Sequence, residues 1–278
     1  MNNILTVDCE DWFHTEVSQK YLRDKSDVVL EDRINENVDM LLKEFREYKA
    51  RATFFVLGSV AEKFPDLIPR IEEGGHRIGA HGYAHTSAFL RTAAEFDKDI
   101  EKVTRLLGRL ASRPVLSFRA PNWSIGYRNF CAIEILKKYG YRYDSSLKRA
   151  FHIKKRIEAE QRQFIEIPRS GKMLWHFQIP FGGAFLRLYP LNLMLHLMRE
   201  MNQGGSPFMV YVHPWEVDRA IPFIETSWAD KVIQYQGISE NLEKIKAVLA
   251  SFEFVSIEEF FEEKGMDVMS LDRFCFFI

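Results

Sequence analysis

The feature that most constrains this chain is a rhythm of short apolar runs that end in polar or glycine-containing stretches, each followed by an amphipathic helical pattern. Residues 4–7 form such a run and end in Asp8-Cys9-Glu10-Asp11, the pattern of a buried strand whose C-terminal end opens onto a polar site. Ile34, Val38, Leu41, Leu42, Phe45 and Tyr48 then recur at three- and four-residue spacing, which predicts a helix. Residues 52–57, closed by Gly58, read as a second buried strand. Residues 77–80 read as a third, running into His81. A helix follows over 92–110 with Phe96, Ile100, Val103 and Leu107 on one face, and strands at 115–118 and 141–143 flank a helix at 130–139.

Between residues 148 and 205 the rhythm loosens. This stretch holds the basic run Lys154-Lys155-Arg156, a strand at 164–167 and a helix at 191–201, and it reads as an elaborating insertion. Regularity returns with a strong strand at 208–212, a helix at 240–249 and a last strand at 252–255. No repeat or Pro/Gly/Ser-rich linker divides the chain, so residues 1–278 read as one α/β domain whose parallel sheet is closed, or nearly closed, as a barrel.

Composition narrows the function classes. With 38 basic and 39 acidic side chains there is no global field to gather nucleic acid or an anionic membrane surface. Cys9, Cys131 and Cys275 are too few and too scattered for a disulfide framework or a zinc ribbon, which points to a reducing compartment. The first residues lack a basic start followed by a long apolar run, and the apolar stretches are broken by charge every few residues. The expectation is therefore a chain without a transmembrane segment that works in the cytoplasm.

In barrels of this class the chemistry gathers where strand C-terminal ends meet the following loops. Asp8, Glu10 and Asp11 follow the first strand, His81 and His85 the third, Arg119 and Asp144 later ones, and His213 the strong strand ending at Val212. His81 and His85, four residues apart, can join a carboxylate from another strand in a two-histidine, one-carboxylate metal site with open positions. Three carboxylates within four residues repel unless a cation sits among them, and a metal together with Arg119 would supply it. Glu10 and Asp11 are both candidates for the metal carboxylate.

Taken in order, Thr6-Val7-Asp8-Cys9-Glu10-Asp11, Thr53-Phe54-Phe55, His81-x-x-x-His85, Arg119-x-Pro121, Asp144-Ser145-Ser146 and His213 resemble the polysaccharide deacetylases of the NodB type, the fourth carbohydrate esterase family. Asp8-x-Glu10-Asp11-Trp12-Phe13 and Val212-His213-Pro214-Trp215-Glu216 further resemble the branch associated with bacterial exopolysaccharide gene clusters. The resemblance implies a distorted seven- or eight-stranded barrel and metal-dependent removal of an N-acetyl group from a sugar. It implies Asp8 as general base, Arg119 as the residue that holds the base, His213 as general acid, and His81 and His85 on one divalent metal, zinc with cobalt or nickel as alternatives. Pro121, Asn122, Trp123, Asp144 and Trp215 are the residues implied for contact with the sugar.

Two departures stand out. Cys9 fills the position where the family usually has a second, metal-binding aspartate, and Asn122 follows the proline where the family tends to have an aromatic residue. The resemblance also implies, as partner, an N-acetylated oligosaccharide or a lipid-linked sugar, met in the cytoplasm or at the inner face of the membrane. Trp175, His176, Phe177, Phe181, Phe185 and Tyr189, beside Gly182-Gly183, suit either a sugar groove or the covering of the barrel exterior. The competing readings are hydrolysis of another non-peptide C–N bond and a non-catalytic carbohydrate-binding barrel.

Overall fold

Strand β1 (Asn2–Cys9) sets the register of everything around it in the computed structural model, which describes residues 1–23, 29–147, 164–174, 177–263 and 276–277. Along β1 successive side chains alternate between two environments, as a strand requires. Leu5, Val7 and Cys9 enter the apolar layer between sheet and helices, whereas Ile4 faces the lumen, and so do Thr6 and Asp8. After β1 come α1 (Glu16–Leu22), α2 (Ile34–Glu47), β2 (Thr53–Val56), α3 (Gly58–Lys63), α4 (Leu67–Glu73) and β3 (Arg77–Ala80). Next are α5 (Ala93–Leu110), β4 (Ser117–Phe118), α6 (Cys131–Lys138), β5 (Tyr143–Asp144) and β6 (Ile165–Glu166). The chain continues through the hairpin β7 (Gly171–Leu174) and β8 (Phe177–Pro180), then α7 (Gly183–Leu188), α8 (Leu191–Gln203) and β9 (Met209–Val212). It ends with α9 (Trp228–Tyr235), α10 (Ile238–Ser251), β10 (Glu253–Val255), α11 (Ile257–Glu263) and β11 (Phe276–Phe277).

The run β9-β1-β2-β3-β4-β5-β6 is parallel throughout, a curled seven-stranded sheet, so every one of these strands delivers its C-terminal end to the same mouth. Strand β10 runs parallel to the first residues of β1, and β11 lies antiparallel against β6. Among the described residues β6 and β9 do not pair. The segment around the β7–β8 hairpin fills the gap instead: Phe181 N–H donates to Ser170 O, and Tyr211 N–H donates to Phe181 O. Gly182 is required there, because at its φ of 154° a Cβ would stand 2.0 Å from Tyr211 O.

Helices cover the outer face of the sheet through the predicted apolar stripes. Ile34, Val38, Leu41 and Phe45 of α2 are buried, as are Phe96, Ile100, Val103 and Leu107 of α5. Helix α5 starts where a capping box fixes it, with Thr92 Oγ1 accepting from Glu95 N–H and Glu95 accepting from Thr92 N–H. At the end of the lumen away from the mouth, Ile4, Phe55, Ile165, Met209, Phe260 and Phe261 form an apolar plug. No helix among the described residues is long and apolar enough to cross a membrane.

The stretch 148–205 is not wholly an insertion, since β6 is a strand of the barrel sheet and α8 buries Met194, Leu195, Leu197 and Met198. Its strand is too short, and its helix too far along the chain, for the alternation to be read from sequence. Lys154-Lys155-Arg156, Trp175, His176 and Cys275 lie outside the described residues, as does the side chain of Phe177.

Candidate active site and metal centre

The alternation along β1 aims Asp8 into the lumen, and β4 ends so that Arg119 meets it there. Arg119 Nη1 donates to Asp8 Oδ1 at 2.5 Å and to Thr6 Oγ1 at 3.0 Å. Nη2 donates to Ser145 Oγ at 3.1 Å, and Nε to Ser145 O at 3.3 Å. The guanidinium sits 4.3 Å over the Phe55 ring and is fully buried. A buried charge of this kind needs its counter-ion, and removing one partner typically costs about 3–5 kcal/mol.

Cys9 points the other way, into the core, where burial pushes its thiol up. The chain then turns, with Glu10 N–H donating to Asp8 O, and Glu10 returns to the lumen side. Glu10, His81 and His85 place ligand atoms within 4.8 Å of one another, all three buried. His81 Nδ1 bonds the Arg119 carbonyl at 2.8 Å. A carbonyl only accepts, so Nδ1 carries the proton and Nε2 keeps its lone pair, the arrangement usual for a histidine ligand. His85 Nε2 lies 2.7 Å from Glu10 Oε2, and among the described residues that oxygen has no donor aligned with it.

Burial pushes Glu10 up, but the adjacent His85 outweighs it and holds the carboxyl well below the usual range. Burial lowers His81 to about 4, leaving it neutral at pH 7 as a metal ligand must be. For His85 burial is opposed by the Glu10 carboxylate, and the balance is upward. Two imidazoles and a carboxylate, desolvated together with an oxygen lacking a donor, fit a divalent cation of the zinc type.

His213, just beyond β9, faces this cluster. Its Nε2 is 3.5 Å from Glu10 Oε1 and 3.9 Å from Asp8 Oδ2, and its Nδ1 bonds Glu216 Oε2 at 2.9 Å. Glu216 is itself clamped by Arg187 Nε at 2.8 Å, and Arg187 spends its other N–H groups on the carbonyls of Gln236 and Ile233. Burial lowers His213, but Glu216 and then Glu10 and Asp8 prevail and raise it to about 9. The sequence shows Glu216 three residues after His213 without a sign of its role. Arg187 carries no local signal, because the clamp spans 29 residues.

A cleft of about 390 Å³ opens from Glu10, His85 and His213, walled by Asn122, Arg187 and Trp215 and further out by α1 and α9. Trp215 and Trp123 both bury an indole N–H that has no hydrogen-bond partner among the described residues. Asn122 and Trp123 adopt left-handed backbone conformations, with φ of 60° and 48°, as does His85 at 51°. Such strain in non-glycine residues concentrates at functional sites.

The remaining candidate residues lie outside the metal cluster. Asp11 does not join the metal cluster: its oxygens accept from the backbone N–H groups of Trp12 and Arg33, because it caps the turn that follows β1. Asp144 does not face the cleft; it is buried behind Arg119, with Oδ1 accepting from Ser146 Oγ. Phe181 packs edge-on against Phe208 in the core, and Phe185 stacks on Tyr189, so neither lines the cleft. Pro121 is buried at the start of the turn that carries Asn122, and Trp123 packs against Tyr211 at 4.6 Å rather than lining the cleft.

Residues 24–144 match the family described as polysaccharide deacetylase, and residues 137–262 match a domain of unknown function, DUF3473. A peptidoglycan deacetylase from Helicobacter pylori is 34% identical over 110 residues, 40% of this chain and 36% of that protein. The chain spans about a third of the length of the first curated relatives it matches. Among solved structures, a Mycobacterium smegmatis protein assigned as a polysaccharide deacetylase superposes with a TM-score of 0.56 at 17% identity, covering 95% of this chain and 91% of that one. A pseudoenzyme of the fourth carbohydrate esterase family from Bacillus anthracis superposes at 0.52 and 13% identity, covering 93% and 65%, so the shared fold does not by itself carry activity. The region matching the domain of unknown function is not a separate body. It contributes β6, β9 and β10 to the same sheet, together with His213, Glu216 and Arg187.

Proposed function

We propose, on the premise that this chain belongs to the polysaccharide deacetylase family, that it hydrolyses the N-acetyl group of an N-acetylated sugar in an oligo- or polysaccharide and releases acetate. The observation that carries this reading is the convergence of three units at the mouth of the lumen: Asp8 with Arg119, Glu10 with His81 and His85, and Glu216 with His213, whose imidazole faces both other units. Each role that a pseudoenzyme could lose has a candidate here.

Glu10, His81 and His85 would hold one divalent metal, zinc or alternatively cobalt or nickel. Such an ion supplies a Lewis acid and brings a water's pKa down toward about 7. Asp8 Oδ1 is tied to Arg119, so Oδ2, on the His213 side, is the oxygen that takes the water's proton. The backbone N–H of Asn122 serves as a donor to the oxyanion, a contribution of roughly 3 kcal/mol for one such group. His213 is protonated at neutral pH and, with Nδ1 held by Glu216, delivers a proton from Nε2 to the departing amine. The unpartnered Trp215 N–H on the cleft wall is suited to a sugar or acetyl oxygen.

The substrate class extends to sugars of an exopolysaccharide under construction, lipid-linked or free, handled in the cytoplasm or at the inner face of the membrane. The branch-like motifs around Asp8 and His213 support this part, and cell fractionation checks it. The whole reading is tested by acetate release from N-acetylated oligosaccharides and lipid-linked sugars, with zinc, cobalt or nickel returned to chelated protein. Release no greater than from a His81→Ala/His85→Ala variant, across all substrates and metals, would sink it.

A further inference from the structure

Behind Arg119, away from the cleft, lies a second pair of acids that the reaction above does not use. Asp144 and Glu166 are register partners on β5 and β6, and both are buried, at 1% and 0% exposure. Two ionised carboxylates in such a place repel unless a cation separates them. The charge of Arg119 eases Asp144 from a distance, but its N–H groups go to Asp8, Thr6, Ser145 and Met209 and donate to neither acid.

The surrounding hydrogen bonds run in one consistent direction. Ala120 N–H donates to Ser146 Oγ at 2.8 Å, so the Ser146 hydroxyl proton is directed to Asp144 Oδ1 at 2.5 Å. Leu147 N–H donates to Glu166 Oε1 at 3.0 Å. Among the described residues Asp144 Oδ2 and Glu166 Oε2 are left without a donor, and the two carboxyl groups stand side by side on paired strands. A single proton between them satisfies both oxygens.

We propose that Asp144 and Glu166 share one proton, carried by Glu166 and donated to Asp144, and that this pair is the positioning element for Arg119 and the 120–123 turn. Asp144 then accepts from both sides as a carboxylate and fixes Ser146, and Ser146 fixes Ala120 N–H. Glu166 fixes Leu147. Ser145, between these anchored residues, takes Arg119 through its carbonyl and its hydroxyl. One short stretch thereby aims the guanidinium that holds Asp8 and braces the turn carrying left-handed Asn122 and Trp123. Burial supports the assignment, pushing Asp144 up to about 6 and Glu166 well up.

The test compares Glu166→Gln with Glu166→Ala. The amide of Glu166→Gln can donate to Asp144 and accept from Leu147, so the chain of bonds survives without a titratable proton. An infrared difference spectrum, wild type minus Glu166→Gln at neutral pH in D2O, should contain the carbonyl stretch of a protonated carboxylic acid. The kinetic arm rests on the deacetylase reading; the infrared arm does not. Glu166→Gln should keep kcat within about threefold, whereas Glu166→Ala should lower it by roughly tenfold to a hundredfold with KM and metal content little changed, the signature of a misaimed site. No acid band in the difference spectrum, or a Glu166→Gln variant as impaired as Glu166→Ala, would overturn the pair. If Glu166→Ala does not fold, the infrared result and the activity of Glu166→Gln still decide. Wild-type protein inert on every acetylated sugar would remove the deacetylase reading, and the acid band would still decide whether the proton is shared.

Discussion

The two ends of the lumen both bury carboxyl groups, and they resolve the cost in opposite ways. At the mouth, Asp8 faces a guanidinium and Glu10 faces the His85 imidazole, so charge is met by charge beside an open cleft. At the far end, Glu258 of α11 reaches under the sheet and accepts from Thr53 Oγ1 at 2.8 Å and Ser117 Oγ at 2.5 Å, with no guanidinium or ammonium in contact among the described residues. Burial pushes this carboxyl up, and the two hydroxyls only partly offset it. The apolar plug of Ile4, Phe55, Met209 and Phe260 separates the ends. A buried acid with a cation partner is poised to react, whereas one held by hydroxyls closes a fold. The comparison can be broken by exchanging these consequences through mutation.

The largest effect belongs to the mouth. His81→Ala with His85→Ala should abolish both divalent-metal binding and turnover, read by elemental analysis after reloading and by acetate release. Among single changes there, Glu10→Gln should abolish binding while Asp11→Asn, whose oxygens only cap a turn, should not. Equal loss in the two would dissolve the distinction drawn between them.

Asp8→Asn comes next. The amide keeps the shape but cannot take a proton, so turnover should fall by about 10² to 10⁴ while metal remains bound. Because Arg119 then stays buried without a counter-charge, the variant should also lose several kcal/mol of stability, up to about 3–5. Metal lost together with activity would mean that Asp8 is a ligand rather than the base.

Glu216→Gln sharpens the account of His213. An acid that protonates a poor leaving group matters for an amide and hardly for an activated aryl ester. The variant should lose roughly ten- to a hundredfold on an N-acetylated sugar and little on the ester, with Arg187→Met behaving alike because it releases the same carboxylate. Equal losses on both substrates would reduce the clamp to a structural role.

How much of this is legible in the sequence follows from how local each signal is. The parallel run and the inward aim of Asp8 are readable because strand alternation acts over neighbouring residues, as Leu5, Val7 and Cys9 against Thr6 and Asp8 show. The choice of Glu10 over Asp11 is not readable. It depends on the turn in which Glu10 N–H donates to Asp8 O, which sends one carboxylate inward and leaves the other to cap. Strand β6 shows in the apolar pattern, but its place in the barrel is hidden by its two-residue length and by the stretch before it. Arg187, Glu166 and Glu258 leave no sequence signal at all. Their partners lie 29, 22 and 205 residues away in sequence (Glu216, Asp144 and Thr53), where periodicity carries no information.

The smallest expected effect on activity is at the closed end, and there the sign of a pH dependence distinguishes the two kinds of carboxyl. The folded-state pKa of Glu258 is raised above its ordinary value of 4.5, so the native state favours the protonated form. Below about 4.5 both folded and unfolded chains hold the proton, and the contribution to stability is fully present. As pH rises above that value the unfolded chain ionises first, and the contribution is lost progressively until the folded pKa is passed. Glu258→Gln, a permanent neutral mimic that can still accept from one hydroxyl, should remove this slope. The difference in unfolding free energy between variant and wild type, measured by denaturant titration, should move in the variant's favour as pH rises from 4.5 toward 7. Acetate release should stay within about twofold of wild type, because surface and remote substitutions away from the reacting groups leave transition-state binding untouched. A difference that is flat with pH would mean that Glu258 is ionised in the fold, and the contrast between the two ends would then fail.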